Sequence, residues 1–141
     1  MIRIVLVSLL LATTASAHEY EVKVDRWIDA DTFEGDLDLG VGVILPKQRF
    51  RLMCINAPES RGARKTEAGV LMSEHVKQFL IDTTYVELVE RDVFGRWLAF
   101  ATPAGWTQSL NQHLYEFGAP LYHRLTRAER AECIERLESP S

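Results

Sequence analysis

The order of the predicted elements limits what this chain can fold into more than any other sequence feature. Three short strands are followed by one helix and then by two more strands. Within each pattern, apolar or β-branched side chains alternate with polar ones at the period of two that a half-buried strand requires. The five patterns span residues 20–28, 32–39, 49–55, 84–90 and 96–102. Gly40, Gly42 and Pro46 separate the second pattern from the third. The sequence therefore predicts five short strands.

Helices are predicted at three places along the chain. Residues 67–81 repeat apolar side chains at helical spacing between the third and fourth strands. Ser109 with Gln112 has the pattern of a capping box, which begins a second helix that stops at the next glycine. Thr126 with Glu129 has the same pattern and begins a third helix, which continues almost to the C-terminus.

This order of elements predicts an α+β fold, in which five strands form an OB-fold-like β-barrel with about three helices. A barrel that is interrupted by a helix after its third strand has the plan of that fold, and such barrels often bind oligonucleotides. No repeat, low-complexity stretch or linker interrupts residues 18–141. We therefore expect a single domain there.

The first 17 residues have the pattern of an export signal. Arg3 supplies a positive charge, residues 4–12 are apolar, and residues 15–17 read Ala-Ser-Ala, which is typical of a cleavage site. The alternative is a membrane anchor, but so short an apolar run does not span a hydrocarbon core of about 30 Å. We expect residues 1–17 to be removed and residues 18–141 to be periplasmic or secreted, without a membrane contact.

The net charge of the chain limits how it could bind nucleic acid. The chain has 16 basic and 20 acidic residues, and loss of Arg3 with the signal changes the net charge from −4 to −5. A protein that coats nucleic acid passively has a global basic excess, so any polyanion site here must be local.

Cys54 and Cys133 could pair in an exported protein. Because no spacing rule identifies a bridge, we expect a buried reduced pair.

Two aspartates lie at the predicted turn between the first and second strands. Asp29 and Asp31 are two residues apart, so in extended geometry their carboxylates point to the same side and repel each other. A hard cation such as Ca²⁺ would relieve that repulsion. The alternative is a solvated hairpin turn, which is the commoner origin of such a pattern.

Two arginines and a glutamate lie near the ends of predicted strands. Arg51 is in an otherwise apolar stretch, so either it lies on the exposed face or its guanidinium has an anionic partner. Pro58 fixes the chain before Glu59, which suits that carboxylate to orienting or deprotonating a water. The alternative is a salt bridge between Arg51 and Glu59 at the rim. Arg96 follows a tight turn at Gly95.

Together these segments resemble the staphylococcal-nuclease-like (thermonuclease) family. The family pattern begins with Asp-Gly-Asp-Thr and continues with Arg-Leu, Asp-x-Pro-Glu and Asp-x-Tyr/Phe-Gly-Arg, before a helix that ends near a glycine. The corresponding stretches here are residues 29–32, 51–59, 92–96 and 110–118, in the same order. Each motif alone is weak evidence, and the ordered set makes the resemblance specific.

The resemblance implies a hydrolase, a Ca²⁺-dependent endonuclease that cleaves DNA, RNA or both. It implies that Arg51 and Arg96 bind the phosphate oxygens and that Glu59 acts on the attacking water. Those residue types suit the chemistry, because guanidinium groups stabilise the negative charge that grows on a phosphate in the transition state. No protein partner is implied, and we expect a monomer.

The resemblance also implies that Asp31 and Asn56 bind the metal, with the carbonyl of Ala57 directed at it and Asp29 close behind. Ca²⁺ is the expected ion, although other divalent ions could replace it. Asn56 stands where the family has aspartate, which removes one negative charge from the site. An amide oxygen still coordinates Ca²⁺, so we expect weaker metal binding.

A basic loop follows Glu59 in the sequence. Arg61, Arg64 and Lys65 would bind flanking phosphates if the loop lies near the site, and they are otherwise a solvated surface.

Two alternatives to an exported nuclease stay open. One is a nucleic-acid-binding OB-fold module that has lost turnover through Asn56, and the other is a barrel that binds another polyanion or an oligosaccharide.

Overall fold

The computed structural model describes residues 18–79 and 82–139, which form a closed five-stranded barrel with three α-helices. The strands are β1 (Glu19–Asp29), β2 (Thr32–Asp38), β3 (Ile44–Leu52), β4 (Thr83–Arg91) and β5 (Trp97–Pro103). The helices are α1 (Glu67–Lys77), α2 (Leu110–Glu116) and α3 (Arg127–Glu138), and a short 3₁₀ helix spans Gly62–Arg64. The predicted α+β fold with an OB-fold-like barrel is confirmed. The predicted signal, residues 1–17, lies outside the described residues.

One parallel pair of strands closes the barrel. β1 pairs with β2 and β4, β2 pairs with β3, and β4 pairs with β5, all of them antiparallel. The end of β3 pairs in parallel with β5, where Arg51 lies opposite Leu98. Parallel neighbours need a long crossover, which α1 and β4 supply. In the β2–β3 pair Thr32 lies opposite Arg51, so the β1–β2 turn lies beside the end of β3.

Strand β3 begins and ends earlier than its pattern predicts. The pattern indicates residues 49–55, whereas the strand is Ile44–Leu52 and includes Pro46. Before Phe50, β3 pairs with β2 alone among the described strands, so this part has a free edge that tolerates a residue without an N–H donor. Beyond the strand, Cys54 has a φ of 74°, a left-handed conformation that ends regular pairing.

Apolar side chains from the strands fill the barrel, and each helix packs a buried face against it. Phe33 and Phe50 are fully buried, with ring centroids 5.0 Å apart. Met72 and Val76 are buried on α1, four residues apart, so they lie on the same face of the helix. Burial of side chains of this size stabilises the fold by about 1.5–3 kcal/mol each.

Asn111 fixes α2 against the barrel from a fully buried position. Its side-chain oxygen accepts a hydrogen bond from the amide of Ala101 at 3.0 Å. Its amide group donates to the carbonyls of Met53 and Ala99 at 2.9 and 3.0 Å. These bonds satisfy buried backbone groups where β3 leaves the sheet, which would otherwise be costly to bury.

Cys54 and Cys133 form a disulfide bond, so the expectation of a reduced pair is wrong. Their Cα atoms are 5.5 Å apart, although 79 residues separate them along the chain. Cys54 lies just beyond β3, and Cys133 is buried on α3. Their proximity depends on how α3 packs against the barrel, which no spacing in the sequence reveals. The bridge ties α3 to the segment that leaves β3.

The predicted helix starts are confirmed, and one helix end is wrong. Ser109 accepts a hydrogen bond from the amide of Gln112, and Thr126 with Glu129 forms a complete capping box. Helix α1 ends at Lys77, before the predicted residue 81, which lies outside the described residues together with residue 80. Among the helices that the structure describes, none is long and apolar enough to span a bilayer.

Loss of the disulfide should destabilise the fold. Because the bridge closes a loop across 79 residues, the double substitution Cys54→Ala and Cys133→Ala should lower the free energy of unfolding by about 4–5 kcal/mol. Urea unfolding of the oxidised wild type and of the variant measures this difference. A reductant should lower the wild-type midpoint and leave that of the variant unchanged. Equal stability of the oxidised wild type and the variant would contradict the bridge.

Candidate active site

Three segments of the chain meet beside the end of β3 and line a cavity of about 200 Å³. They are the β1–β2 turn, the end of β3 with the segment that follows it, and the turn that precedes β5; Tyr122, from the segment between α2 and α3, completes the wall. The cavity walls contain all six predicted catalytic and metal-binding residues, which are Asp29, Asp31, Arg51, Asn56, Glu59 and Arg96. The barrel register, with Arg51 between Thr32 and Leu98, explains why separate motifs converge here.

Asp31 joins the β1–β2 turn to the segment after β3. Its Oδ2 accepts a hydrogen bond from the amide of Ala57 at 2.8 Å and lies 3.6 Å from Nη2 of Arg51. Its Oδ1 accepts from the hydroxyl of Thr32 at 3.0 Å, and its backbone carbonyl accepts from the amide of Leu52 at 2.8 Å. Asp31 is 7% exposed, so it is both a structural acceptor and a negative charge at the cavity wall.

The guanidinium of Arg51 is buried between Asp31 and Asn56. Nη2 donates to Oδ1 of Asn56 at 2.9 Å, and Cζ lies 4.8 Å from the ring centre of Tyr122. Within the described chain Arg51 forms no salt bridge with Glu59, so its partner is the aspartate rather than the rim glutamate. The amide oxygen of Asn56, predicted to bind metal, accepts from Arg51 in this structure.

Asp92 orients Arg96 across the tight turn before β5. The carboxylate accepts hydrogen bonds from Nε of Arg96 at 2.7 Å and from the backbone amides of Arg96 and Phe94 at 3.0 and 2.9 Å. Burial alone raises the pKa of Asp92, but these hydrogen bonds outweigh it and hold the pKa below its usual value. Because Asp92 engages the guanidinium through Nε, the two terminal nitrogens of Arg96 can face the cavity.

Glu59 is an exposed residue at the rim of the cavity. Within residues 18–79 and 82–139, its carboxylate forms no hydrogen bond or ion pair. Its backbone carbonyl, by contrast, accepts from the amide of Thr66 at 2.9 Å. The hydroxyl of Ser60 donates to Oδ1 of Asp29 at 3.3 Å, which ties this loop to the β1–β2 turn.

The basic loop lies beside the cavity rather than in its wall. Arg61, Arg64 and Lys65 are exposed and follow Glu59 around the 3₁₀ helix. They are not among the residues that line the 200 Å³ cavity. Their predicted role in binding flanking phosphates stays a prediction.

Tyr122 is a site residue that the sequence did not indicate. A β-bridge between Ile55 and Leu121 brings it beside Arg51. A second cavity of about 460 Å³ adjoins the first, and the two share Arg51, Arg96 and Tyr122 in their walls. Because long-range backbone contacts place Tyr122, no local pattern could have predicted its position.

Oxygen donors of the kind that Ca²⁺ prefers line the smaller cavity. They are the carboxylates of Asp29 and Asp31 and the amide of Asn56. Within the part of the chain that the structure describes, no three Asp, Glu, His or Cys side chains are grouped as a metal site. These oxygen donors are of the type that Ca²⁺ prefers, so Asp29, Asp31 and Asn56 are the residues that would hold such an ion.

No protein-family model and no curated protein matches this chain. The ordered motifs of the sequence meet at the cavity beside the end of β3.

The carboxyl of Asp92 should titrate below its usual pKa of 3.8. Arg96→Gln should raise that pKa by removing a charged donor, whereas Arg91→Gln should not, because Arg91 donates to Gln48 and to the carbonyl of Gly95. NMR titration measures the pKa of Asp92 in the wild type and in the two variants. Since folding lowers this pKa, the carboxylate stabilises the fold above its unfolded pKa and loses that effect as pH falls through the folded value. An unchanged pKa in Arg96→Gln would contradict the pairing.

Proposed function

We propose that this chain is an exported, metal-dependent nuclease that hydrolyses phosphodiester bonds of DNA, RNA or both. The main support is the meeting of two arginines, an exposed glutamate and carboxylate oxygens around one cavity. That set combines what phosphate binding and water activation require. The ordered resemblance to the thermonuclease family supports the same assignment, and the signal-like residues 1–17 support a periplasmic or secreted location.

Arg51 and Arg96 would bind the phosphate that is cleaved. The planar guanidinium presents parallel N–H donors to two phosphate oxygens, which a lysine ammonium cannot do. Negative charge grows on those oxygens in the transition state, so donors that are already oriented stabilise it more than the ground state. Asp92 orients Arg96 and Asn56 orients Arg51, which limits the reorganisation that substrate binding requires.

Glu59 would orient and deprotonate the attacking water. Its carboxylate lies at the cavity rim and is open to solvent, while Pro58 and the bond from Thr66 to its carbonyl restrain its backbone. When bound, Ca²⁺ supplies positive charge to the phosphate oxygens. Asp29, Asp31 and Asn56 are the residues that would hold it.

The larger cavity supports a nucleic-acid substrate rather than a free phosphate. Its volume of about 460 Å³ lies within the usual range of small-ligand pockets, about 300–1,000 Å³. Phe94, Leu98, Tyr122 and Leu125 give it apolar and aromatic surface beside the two arginines. Such surface suits the sugar and base of a nucleotide whose phosphate occupies the smaller cavity.

A nucleic-acid-binding module with little turnover is the second candidate. The hydrogen bond from Arg51 to Asn56 favours it, because that bond engages the amide oxygen that a metal would use. Asn56 also lacks the negative charge that an aspartate would place beside the positive charge of Arg51. Glu59 favours the nuclease, because binding alone does not require a base.

Purified protein should cleave plasmid DNA in the presence of Ca²⁺ and stop when a chelator is added. Glu59→Gln should lower turnover by roughly 10²-fold or more without loss of stability, because the residue is exposed. Glu74→Gln, at an exposed position of α1, is the matched control and should keep wild-type turnover. Plasmid binding without cleavage would identify the binding module. Wild-type turnover in Glu59→Gln would exclude this residue from the mechanism.

Substitutions of Asn56 should change the Ca²⁺ requirement. Asn56→Asp adds a negative charge beside Asp31, so half-maximal cleavage should occur at a lower Ca²⁺ concentration. Asn56→Ala removes the oxygen and should raise that concentration. Calorimetric Ca²⁺ titration of the three proteins, alongside their cleavage rates, measures both effects. Equal Ca²⁺ affinity in all three would place Asn56 outside the metal site.

A further inference from the structure

Glu59 is positioned through its backbone by the first turn of α1. The amide of Thr66 donates to the Glu59 carbonyl at 2.9 Å, and the Thr66 hydroxyl donates to it at 3.4 Å. The same hydroxyl caps α1 by accepting a hydrogen bond from the amide of Gly69 at 3.0 Å. The start of α1 and the Glu59 carbonyl therefore form one connected unit.

Gly69 allows this turn of helix to lie directly against the chain at Glu59. A β-carbon at position 69 would overlap the Glu59 carbonyl oxygen and lie 2.6 Å from the carbonyl oxygen of Pro58. Both obstacles are backbone atoms, so no side-chain rotation can relieve the overlap. Gly69 is helical and is not among the glycines with positive φ, so its own conformation does not require a glycine. Alanine would favour the helix.

We propose that Gly69 is a positioning residue for Glu59, because its missing β-carbon sets how closely α1 supports the catalytic carboxylate. This inference rests on the proposed function. A side chain at position 69 must push residues 58–59 away from α1 and so shift Glu59 relative to Arg51 and Arg96, which belong to other segments. A misplacement of about 1 Å in a catalytic group can cost roughly 10²-fold in rate.

Gly69→Ala should lower kcat on a defined oligonucleotide in Ca²⁺ by roughly 10- to 10²-fold. KM should change by less than about twofold, because β3 and the turn before β5 position the two arginines. Circular dichroism and urea unfolding check that the variant is folded. Ala68→Gly is the matched control, since it changes one methyl at the neighbouring exposed position. It should keep wild-type kcat although it disfavours the helix.

A double-variant cycle distinguishes positioning from general damage. When Glu59 is already replaced by Gln, Gly69→Ala should cause no further loss of kcat, because the group that it positions is gone. Wild-type kcat in Gly69→Ala alone, or an equal loss in both backgrounds, would overturn the inference. Wild-type kcat in Glu59→Gln would also overturn it, because the group that Gly69 positions would then have no part in the reaction. Absence of Ca²⁺-dependent cleavage by the wild-type protein would instead reject the proposed function, so the two failures are distinguishable.

If Gly69→Ala does not fold, Thr66→Val tests the same contact more mildly. This substitution removes the hydroxyl that caps α1 and approaches the Glu59 carbonyl, and it leaves the Thr66 amide in place. We expect a loss of kcat with nearly constant KM, and no loss when Glu59 is already Gln. Wild-type kcat in Thr66→Val would then overturn the inference.

Discussion

The departure of the chain from the barrel after β3 is the constraint on which the candidate site depends. Cys54 has a φ of 74° there, which is unfavourable for a residue that has a β-carbon. Contacts with the surrounding chain must therefore hold Cys54 in this conformation. Its carbonyl accepts from the amide of Tyr122 at 2.8 Å, and its side chain is bonded to Cys133. Just before it, the Met53 carbonyl accepts from Asn111 at 2.9 Å. Contacts from three later parts of the chain therefore set the path between the strand and the loop of the site.

Asp31 serves the fold and the proposed chemistry with the same atoms. Its Oδ2 accepts from the amide of Ala57 and lies 3.6 Å from Arg51, so a cation bound at this oxygen would compete with the arginine for its charge. A phosphate in the cavity would offer Arg51 another anionic partner and leave Asp31 more able to bind the cation. Metal and substrate would then each strengthen the binding of the other, because coupling between two sites is reciprocal.

Local patterns predicted the strands and the helix caps, since both depend on residues close together in the sequence. The six predicted catalytic and metal-binding residues line one cavity, and barrel register contributes to this by placing Arg51 beside the β1–β2 turn. Tertiary contacts explain the error at β3, the unexpected disulfide and the omission of Tyr122. Pro46 is tolerated within β3 at a free edge, and the Cys54–Cys133 bridge and the position of Tyr122 depend on how the C-terminal part packs. Such contacts between distant residues leave no local signal.

The residues of the candidate site are held in place in two ways. Arg51 and Arg96 are held through their side chains, by Asn56 and Asp92. Arg51 belongs to β3, and Arg96 directly precedes β5. Glu59 is held through its backbone on a loop that α1 supports, and loops vary more readily than the strands they connect. Phosphate binding and water activation would therefore respond to substitutions in different parts of the chain. Under the proposed function, a change in this loop would remove turnover and spare phosphate binding, which is the difference between the two candidate functions.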